Sequence, residues 1–381
     1  MSAVKEQFRL FAFEETPPQL SNGSDRFQHE LPMRERLALL LQGELNFHGE
    51  DSGYASHDLH AFAAKFPPQL PRAFIRGLTR HGDVVLDPMM GSGTTVVEAL
   101  LEGRRGIGLD INPLALRLSR AKTTQLPLDT LRDVGNKVIS RANVLLSDGK
   151  IIERMLAKRF DERTKTFIDY WFLPTMQHEL MALVQAIEDV TNISVRYFLE
   201  LTFSSIIVTK SWGVSLARDL AHSRPPLDKT KTPKSAIEQF SMRLRKNLLS
   251  IAQLKTNGMR AGTLTGDARC MPIVDGTIGL IVTSPPYANA LDYMRAHKFS
   301  LVWFGGSVVN LSHMRASYIG SERVGCTQNS LLPDGLEKII HQLAARDRSK
   351  ASILRKYFVE MKSVLAEMYR VLRSNSAAIA L

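Results

Sequence analysis

The run Val84-Val85-Leu86-Asp87-Pro88-Met89-Met90-Gly91-Ser92-Gly93-Thr94-Thr95 constrains the fold of this 381-residue chain more than any other stretch. Its first residues are apolar and β-branched, as in a strand buried on both faces. A glycine-bearing turn follows. Residues 94–102 then read as a helix that stops at Gly103. Strand, glycine turn and helix form the nucleotide-binding half-unit of an open α/β sheet. Gly91 and Gly93 let the backbone approach a ligand closely. Free N–H groups at the helix start favour a carboxylate or phosphate. A second strand, residues 106–109, ends in Asp110, an acceptor suited to the two hydroxyls of a ribose. The competing reading makes Asp110 a cap for the turn before Asn112-Pro113. The glycines do not follow the GxGxxG spacing and no Walker lysine comes after them. A nucleoside-sized ligand is therefore expected, rather than a dinucleotide or triphosphate.

A second apolar run, residues 278–282, also reads as a buried parallel strand, and it ends in Thr283-Ser284-Pro285-Pro286-Tyr287. Ligands in open α/β sheets sit at the carboxyl ends of strands. The two prolines lack N–H donors and hold φ near one value. Their carbonyls and that of Ser284 can accept hydrogen bonds from a ligand, and Tyr287 offers a face for stacking. This combination suits a planar base bearing an amino group. A proline-rich turn would account for these residues alone, but not for both motifs in this order.

The net charge is +11 and the pI near 9.7, a balance that favours polyanionic partners. No run approaches the roughly 20 apolar residues of a membrane span, and residues 1–15 lack a secretory apolar core. Cys270 and Cys326 have neither metal-site nor disulfide-framework spacing. A cytoplasmic, reducing setting and no metal are expected.

Together, Asp87-Pro88-x-x-Gly91-Ser92-Gly93-Thr94-Thr95 and Thr283-Ser284-Pro285-Pro286-Tyr287 resemble the S-adenosylmethionine-dependent DNA amino-methyltransferases. The Thr-Ser-Pro-Pro-Tyr form is similar to the N4-cytosine branch, whereas N6-adenine enzymes more often carry Asp-Pro-Pro-Tyr. His60-Ala61-Phe62-Ala63-Ala64-Lys65-Phe66-Pro67 looks like the element that precedes the cofactor motif in these enzymes. The resemblance covers residues 57–124 and 261–304, and more weakly 355–381. It implies an α/β, Rossmann-like methyltransferase sheet with S-adenosyl-L-methionine as cofactor. Phe66, Asp87, Pro88, Gly91, Ser92, Gly93, Thr94, Thr95 and Asp110 are the expected cofactor residues. Asp267, after a third strand, is expected to accept from the cofactor's adenine amino group. Ser284, Pro285, Pro286 and Tyr287 are the expected catalytic residues, acting on a base flipped out of double-stranded DNA. N4-cytosine methylation is the leading expectation. N6-adenine methylation, RNA amino-methylation and a non-catalytic nucleic-acid-binding relative are the alternatives. A cognate restriction endonuclease is a conceivable partner.

The chain divides into an arm and short helix (1–50), the cofactor part of the core (51–124), a helical insert (125–260) and the catalytic part of the core (261–381). The insert reads as helices around residues 166–190, 194–212 and 235–254. It is the candidate for target recognition, with Arg218, Arg224, Lys229 and Lys231 on a basic, turn-rich stretch as candidate DNA contacts. A solvated linker is the equal alternative for each of those side chains. Asp292, Tyr293 and His297 are expected at the substrate mouth, with Trp303 and Phe304 in packing. Residues 305–350 read as an irregular, polar lid or DNA-contacting loop. A helix from Tyr357 and a fifth strand over residues 376–381 follow. The family fold implies two further strands after these, so the sheet is expected to be incomplete at this end, as in a truncated chain.

Overall fold

Five short strands build the sheet, and the central ones are apolar runs. A computed structural model describes residues 31–62, 65–209, 213–218, 227–228, 230–288, 293–321 and 331–381. In chain order the elements are α1 (Met33–Gln42), α2 (Gln69–Leu78), β1 (Val84–Asp87), α3 (Thr94–Leu101), β2 (Arg105–Asp110), α4 (Pro113–Thr123), α5 (Leu128–Leu146), α6 (Gly149–Arg159), α7 (Glu162–Trp171), α8 (Pro174–Glu188), α9 (Ile193–Ile207), α10 (Ala236–Ile251), β3 (Ala261–Thr265), β4 (Ile278–Thr283), α11 (Tyr293–Leu301), α12 (Val308–Ala316), α13 (Asp334–Ala344), α14 (Arg348–Val371) and β5 (Leu372–Ala380). The strands are parallel and lie in the order β3-β2-β1-β4-β5. The order reverses at β1, between β2 and β4. That is the switch point where a parallel sheet opens a crevice for a ligand.

Both faces of the sheet are covered. Leu86, Leu109 and Ile281 point to one side, where Met361, Val364 and Met368 of α14 close over them. Val85, Leu280 and Val282 point to the other, against Phe74, Ile75 and Leu78 of α2 and Ala99 of α3. Successive residues of a strand alternate between faces, so a strand covered on both sides must be apolar throughout. All six residues of β4 are buried.

The helical insert packs into the core. Leu131, Leu180, Phe198, Phe203 and Phe240 from the insert share one apolar cluster with Phe299 and Trp303, which follow the Ser284–Tyr287 turn in the chain. Trp303 lies edge-on to Phe172. Through this cluster the insert supports the wall next to the candidate base site.

Three local readings change. The apolar run around residues 166–190 is two helices, because Pro174 starts a new one at its first position. The described residues between 305 and 350 are mostly helical. Ser307 caps α12 by accepting from the Val309 amide, and Asp347 caps α14 by accepting from the Lys350 amide. Polar caps of this kind look like loop in a sequence. Between them, Leu336, Ile340 and Leu343 of α13 pack on Ala351, Leu354 and Phe358 of α14. Finally, β5 starts earlier than expected. Asn375 adopts φ +57° and the register with β4 shifts, so Ser-Asn-Ser belongs to a strand without resembling one.

Two hydroxyls fasten the carboxyl ends of the central strands. Thr283 Oγ1 donates to the buried Asp87 carboxylate at 2.7 Å, and Thr95 Oγ1 donates to the Val282 carbonyl at 3.1 Å. Replacing Thr283 by Val keeps the shape but leaves Asp87 without that donor. The expected loss of stability is about 1–3 kcal/mol, measured by urea denaturation. A loss below about 0.5 kcal/mol would mean that the bond does not hold the junction.

Candidate cofactor and base site

A cleft opens at the switch point, between the carboxyl ends of the central strands. Its lining includes Phe62, Phe66, Pro88, Gly91, Ser92, Thr94, Asp110, Asn112, Asp267, Ser284, Pro286 and Tyr287. The two sequence motifs thus meet in one place, although nearly 200 residues of chain separate them.

The floor is the turn after β1. Gly93 sits at φ +81° as N-cap of α3, and a Cβ there would come within 2.4 Å of Ser119 Oγ. Only glycine meets both demands. No side chain caps α3. Its first amides therefore remain as donors beside Ser92 and Thr94, a setting for a carboxylate. The Gly91 amide donates to Asp110 Oδ2 at 2.9 Å, and the Asn112 amide to Asp110 Oδ1 at 2.8 Å. Asp110 thus sits at the cleft with both oxygens oriented by backbone, and each oxygen retains capacity to accept another donor. Desolvation, opposed by these amides and reinforced by nearby Asp87, pushes its carboxyl up to about 7.

Phe62 roofs this floor. Its ring lies 3.1 Å from where a Gly91 Cβ would stand, and it packs on His297 with centroids 4.8 Å apart. His297 hydrogen-bonds through Nδ1 to the Asn112 side chain. It is 4 % exposed and does not line the cleft. Burial pushes it down to about 3, so it is a neutral packing residue. This corrects the expectation that His297 stands at the substrate mouth. Asp292 and the Tyr293 side chain lie outside the described residues.

Other expected residues separate into two groups. Phe66, Pro88, Gly91, Ser92, Thr94, Asp110 and Asp267 face the cleft. Asp87, Gly93 and Thr95 do not. Asp87 is 1 % exposed, and desolvation lifts its carboxyl to about 6 against the Thr283 bond. Together with Thr95 it fixes the strand ends, so both act beneath the site. Asp267 faces the cleft, but both its oxygens already accept from the Arg269 guanidinium. Its adenine role therefore requires sharing with Arg269.

Of the residues expected to be catalytic, Ser284 and Pro286 line the cleft, and Tyr287 lines it while 55 % exposed. An accessible aromatic ring at the mouth of a cleft is available to stack. Ser284 Oγ makes a long contact to the Leu381 carbonyl, 3.4 Å. Ser317, Tyr318 and Ile319 complete the wall. They fell in the stretch read as irregular, and no local sequence signal marks them.

The candidate DNA contacts are less supported. Arg224 and Lys229 lie outside the described residues. Lys231 turns inward and donates to the Thr209 and Ala217 carbonyls at 3.3 and 2.9 Å. Burial lowers its pKa. Two backbone carbonyls thus engage its ammonium, and its expected phosphate contact has only the third donor left for it. Arg218 is exposed, beside a bridge that pairs Ala217 with Leu227.

Sheet order, switch-point cleft and the two motifs define a Rossmann-like methyltransferase fold. The family model for DNA methylases matches residues 42–121. The chain is 24% identical over 362 residues to Type II methyltransferase M.MvaI of Kocuria varians, covering 87% of this chain and 77% of the relative. It is 24% identical over 291 residues to Type II methyltransferase M.BsoBI of Geobacillus stearothermophilus, covering 71% and 56%. A stretch of 56 residues is 54% identical to Type II methyltransferase M.BglI of Bacillus subtilis, covering 15% and 16%. The chain is thus similar, over its cofactor part, to the DNA methylases and, more widely, to Type II methyltransferases. Among the described residues, no helix is long and apolar enough to cross a membrane.

Asp87 and Asp110 are both held above the ordinary carboxyl value of about 4. The folded protein therefore binds protons that the unfolded chain has released. The stability from that uptake is complete below about pH 4 and is lost as pH rises through about 6 to 7. Asp110→Asn removes one of the two titrations. Relative to the unaltered protein, its unfolding free energy should rise between about pH 5 and pH 8 in urea titrations. The open cleft screens Asp110, so the gain is modest. A pH-independent difference would contradict the raised value.

Proposed function

We propose that the protein transfers a methyl group from S-adenosylmethionine to the exocyclic N4 of cytosine in double-stranded DNA. The observation that carries this reading is the meeting of the Asp110 and α3 cofactor floor with the Ser284–Tyr287 turn in one cleft. The donor set fits the cofactor. The uncapped α3 amides suit a carboxylate, Asp110 suits ribose hydroxyls, and Phe62, Phe66 and Ile319 supply apolar surface for a purine. When bound, S-adenosylmethionine supplies an electrophilic methyl group, so that an N–C bond forms as its S–C bond breaks and the amine sheds one proton.

The residues supply positioning and electrostatics. Cytosine's amino nitrogen is a weak nucleophile because its lone pair is delocalised into the ring. The Ser284 and Pro285 carbonyls accept the amino hydrogens and turn that lone pair toward the methyl group. Tyr287 stacks on the extruded base. No covalent nucleophile is required. The Thr-Ser-Pro-Pro-Tyr form favours cytosine over the N6 of adenine, and the same geometry can hold either amine. Net charge, the exposed Arg218 and the names of the relatives support DNA as the polymer. A cytoplasmic site of action, and a cognate endonuclease alongside, belong to the same reading.

Two substitutions separate the halves of the site. Tyr287→Ala should lower turnover on DNA at least a hundredfold while S-adenosylhomocysteine affinity stays within about threefold. Asp110→Ala should weaken that affinity at least tenfold. Calorimetric binding and a methyl-transfer assay check both. Equal losses of binding and turnover in Tyr287→Ala would remove the stacking role. Unchanged affinity in Asp110→Ala would remove the ribose role.

A further inference from the structure

Arg269 stands two residues after Asp267 and is shared among three segments. Nε and Nη2 grip both oxygens of Asp267, at 2.5 to 3.0 Å. Nη2 also donates to the Ser317 carbonyl at 2.9 Å, and Nη1 to Glu360 Oε1 of α14 at 2.7 Å. Glu360 Oε2 in turn accepts from the Gly320 amide at 3.3 Å. Lys356, one turn earlier on α14, donates to the Ser321 carbonyl at 3.3 Å and lies 3.7 Å from Glu360. Residues 317–321 are thus held at three backbone points by a chain of charged groups. Three of these residues, Ser317, Tyr318 and Ile319, line the cleft.

The same segment reaches the base side. Gly320 has φ +76°, and a Cβ there would come within 3.3 Å of the Tyr287 carbonyl and 3.6 Å of the Tyr357 ring. The wall therefore touches the catalytic turn at one end and the Asp267 corner at the other. Its apolar anchorage is partial, since Tyr318 and Ile319 are each only partly buried against their clusters. Charged hydrogen bonds fix its backbone, and a guanidinium is the group whose planar fork can serve two carboxylates and a carbonyl together.

We propose that Arg269 is a positioning residue that, with Glu360, clamps residues 317–321 over the cleft and so couples cofactor binding to placement of Tyr287. The proposal rests on the reading that S-adenosylmethionine occupies this cleft. It also gives Asp267 a second role, as the anchor that orients the fork.

The test compares Arg269→Gln and Glu360→Gln with the unaltered full chain, using S-adenosylhomocysteine as the probe. Each variant should bind it at least tenfold more weakly by calorimetry. Each should also show faster amide exchange in residues 317–321 without ligand, at an unchanged melting profile. The KM for S-adenosylmethionine should rise more than kcat falls. Arg269→Lys keeps the charge but not the fork, and should restore less than half of the lost binding free energy. If Arg269→Gln does not fold, Glu360→Gln decides, because it leaves the Asp267–Arg269 pair intact. Wild-type affinity, or unchanged exchange at 317–321 in a folded variant, would overturn the clamp. Absence of binding by the unaltered protein would instead overturn the assignment of the cleft, while the exchange comparison still decides the clamp.

Discussion

The Thr283 hydroxyl and the Asp87 carboxylate join the ends of β4 and β1 inside the protein, and Thr95 ties α3 to the same junction. This union sets where every other part of the site can stand. One motif enters the sheet at residue 84 and the other leaves it at residue 283, so they meet only if β1 and β4 pair side by side. The parallel register of Val85 with Leu280 achieves that. A buried carboxylate is unfavourable unless donors meet it. Asp87 has the Thr283 hydroxyl and the Met89 amide. The polar junction is therefore sound only when both strands are in place.

From that junction the two halves of the cleft acquire different rigidity. The cofactor floor hangs from backbone: Gly91 and Asn112 amides fix Asp110, and Asn112 also caps α4 by accepting from the Leu114 amide. A second buried group braces the helix behind it. Glu98 of α3 accepts from Tyr54 and Arg72 and pairs with His57, which ties α3 to the segment before the cofactor motif. The base side is supported from outside the sheet. Phe299 and Trp303 link it to the insert, and residues 317–321 link it to α14 through Arg269 and Glu360. On the second side, side chains rather than ladder bonds do the holding.

Much of this is legible in the sequence. The apolar runs at Val84 and Ile278 announce buried parallel strands because both faces are covered. Gly91 and Gly93 mark the turn because few other residues tolerate its backbone. Those two signals give the fold class and most of the cleft floor. The motif puts Asp87 and Thr95 beside the cofactor, because sequence proximity cannot distinguish a side chain facing a ligand from one facing the strand below. His297 was placed at the mouth for the same reason, yet Phe62 and Asn112 enclose it. Lys231 looked like a surface charge, and only the loop geometry turns it toward two carbonyls. The Ser317–Ile319 wall was invisible. Its members are held by Arg269, 48 positions from Ser317 in the chain, and by Glu360, 40 positions from Gly320, and no local pattern encodes such contacts.

The most direct measurement is nucleoside mass spectrometry on duplex DNA incubated with the purified protein and S-adenosylmethionine. The account predicts N4-methylcytosine in the digest, absent when the cofactor is omitted. N6-methyladenine would preserve amine transfer in this cleft and contradict the choice of base. No methylated amine, from a protein that binds S-adenosylhomocysteine, would contradict the central claim that the joined motifs form a working transfer site on DNA.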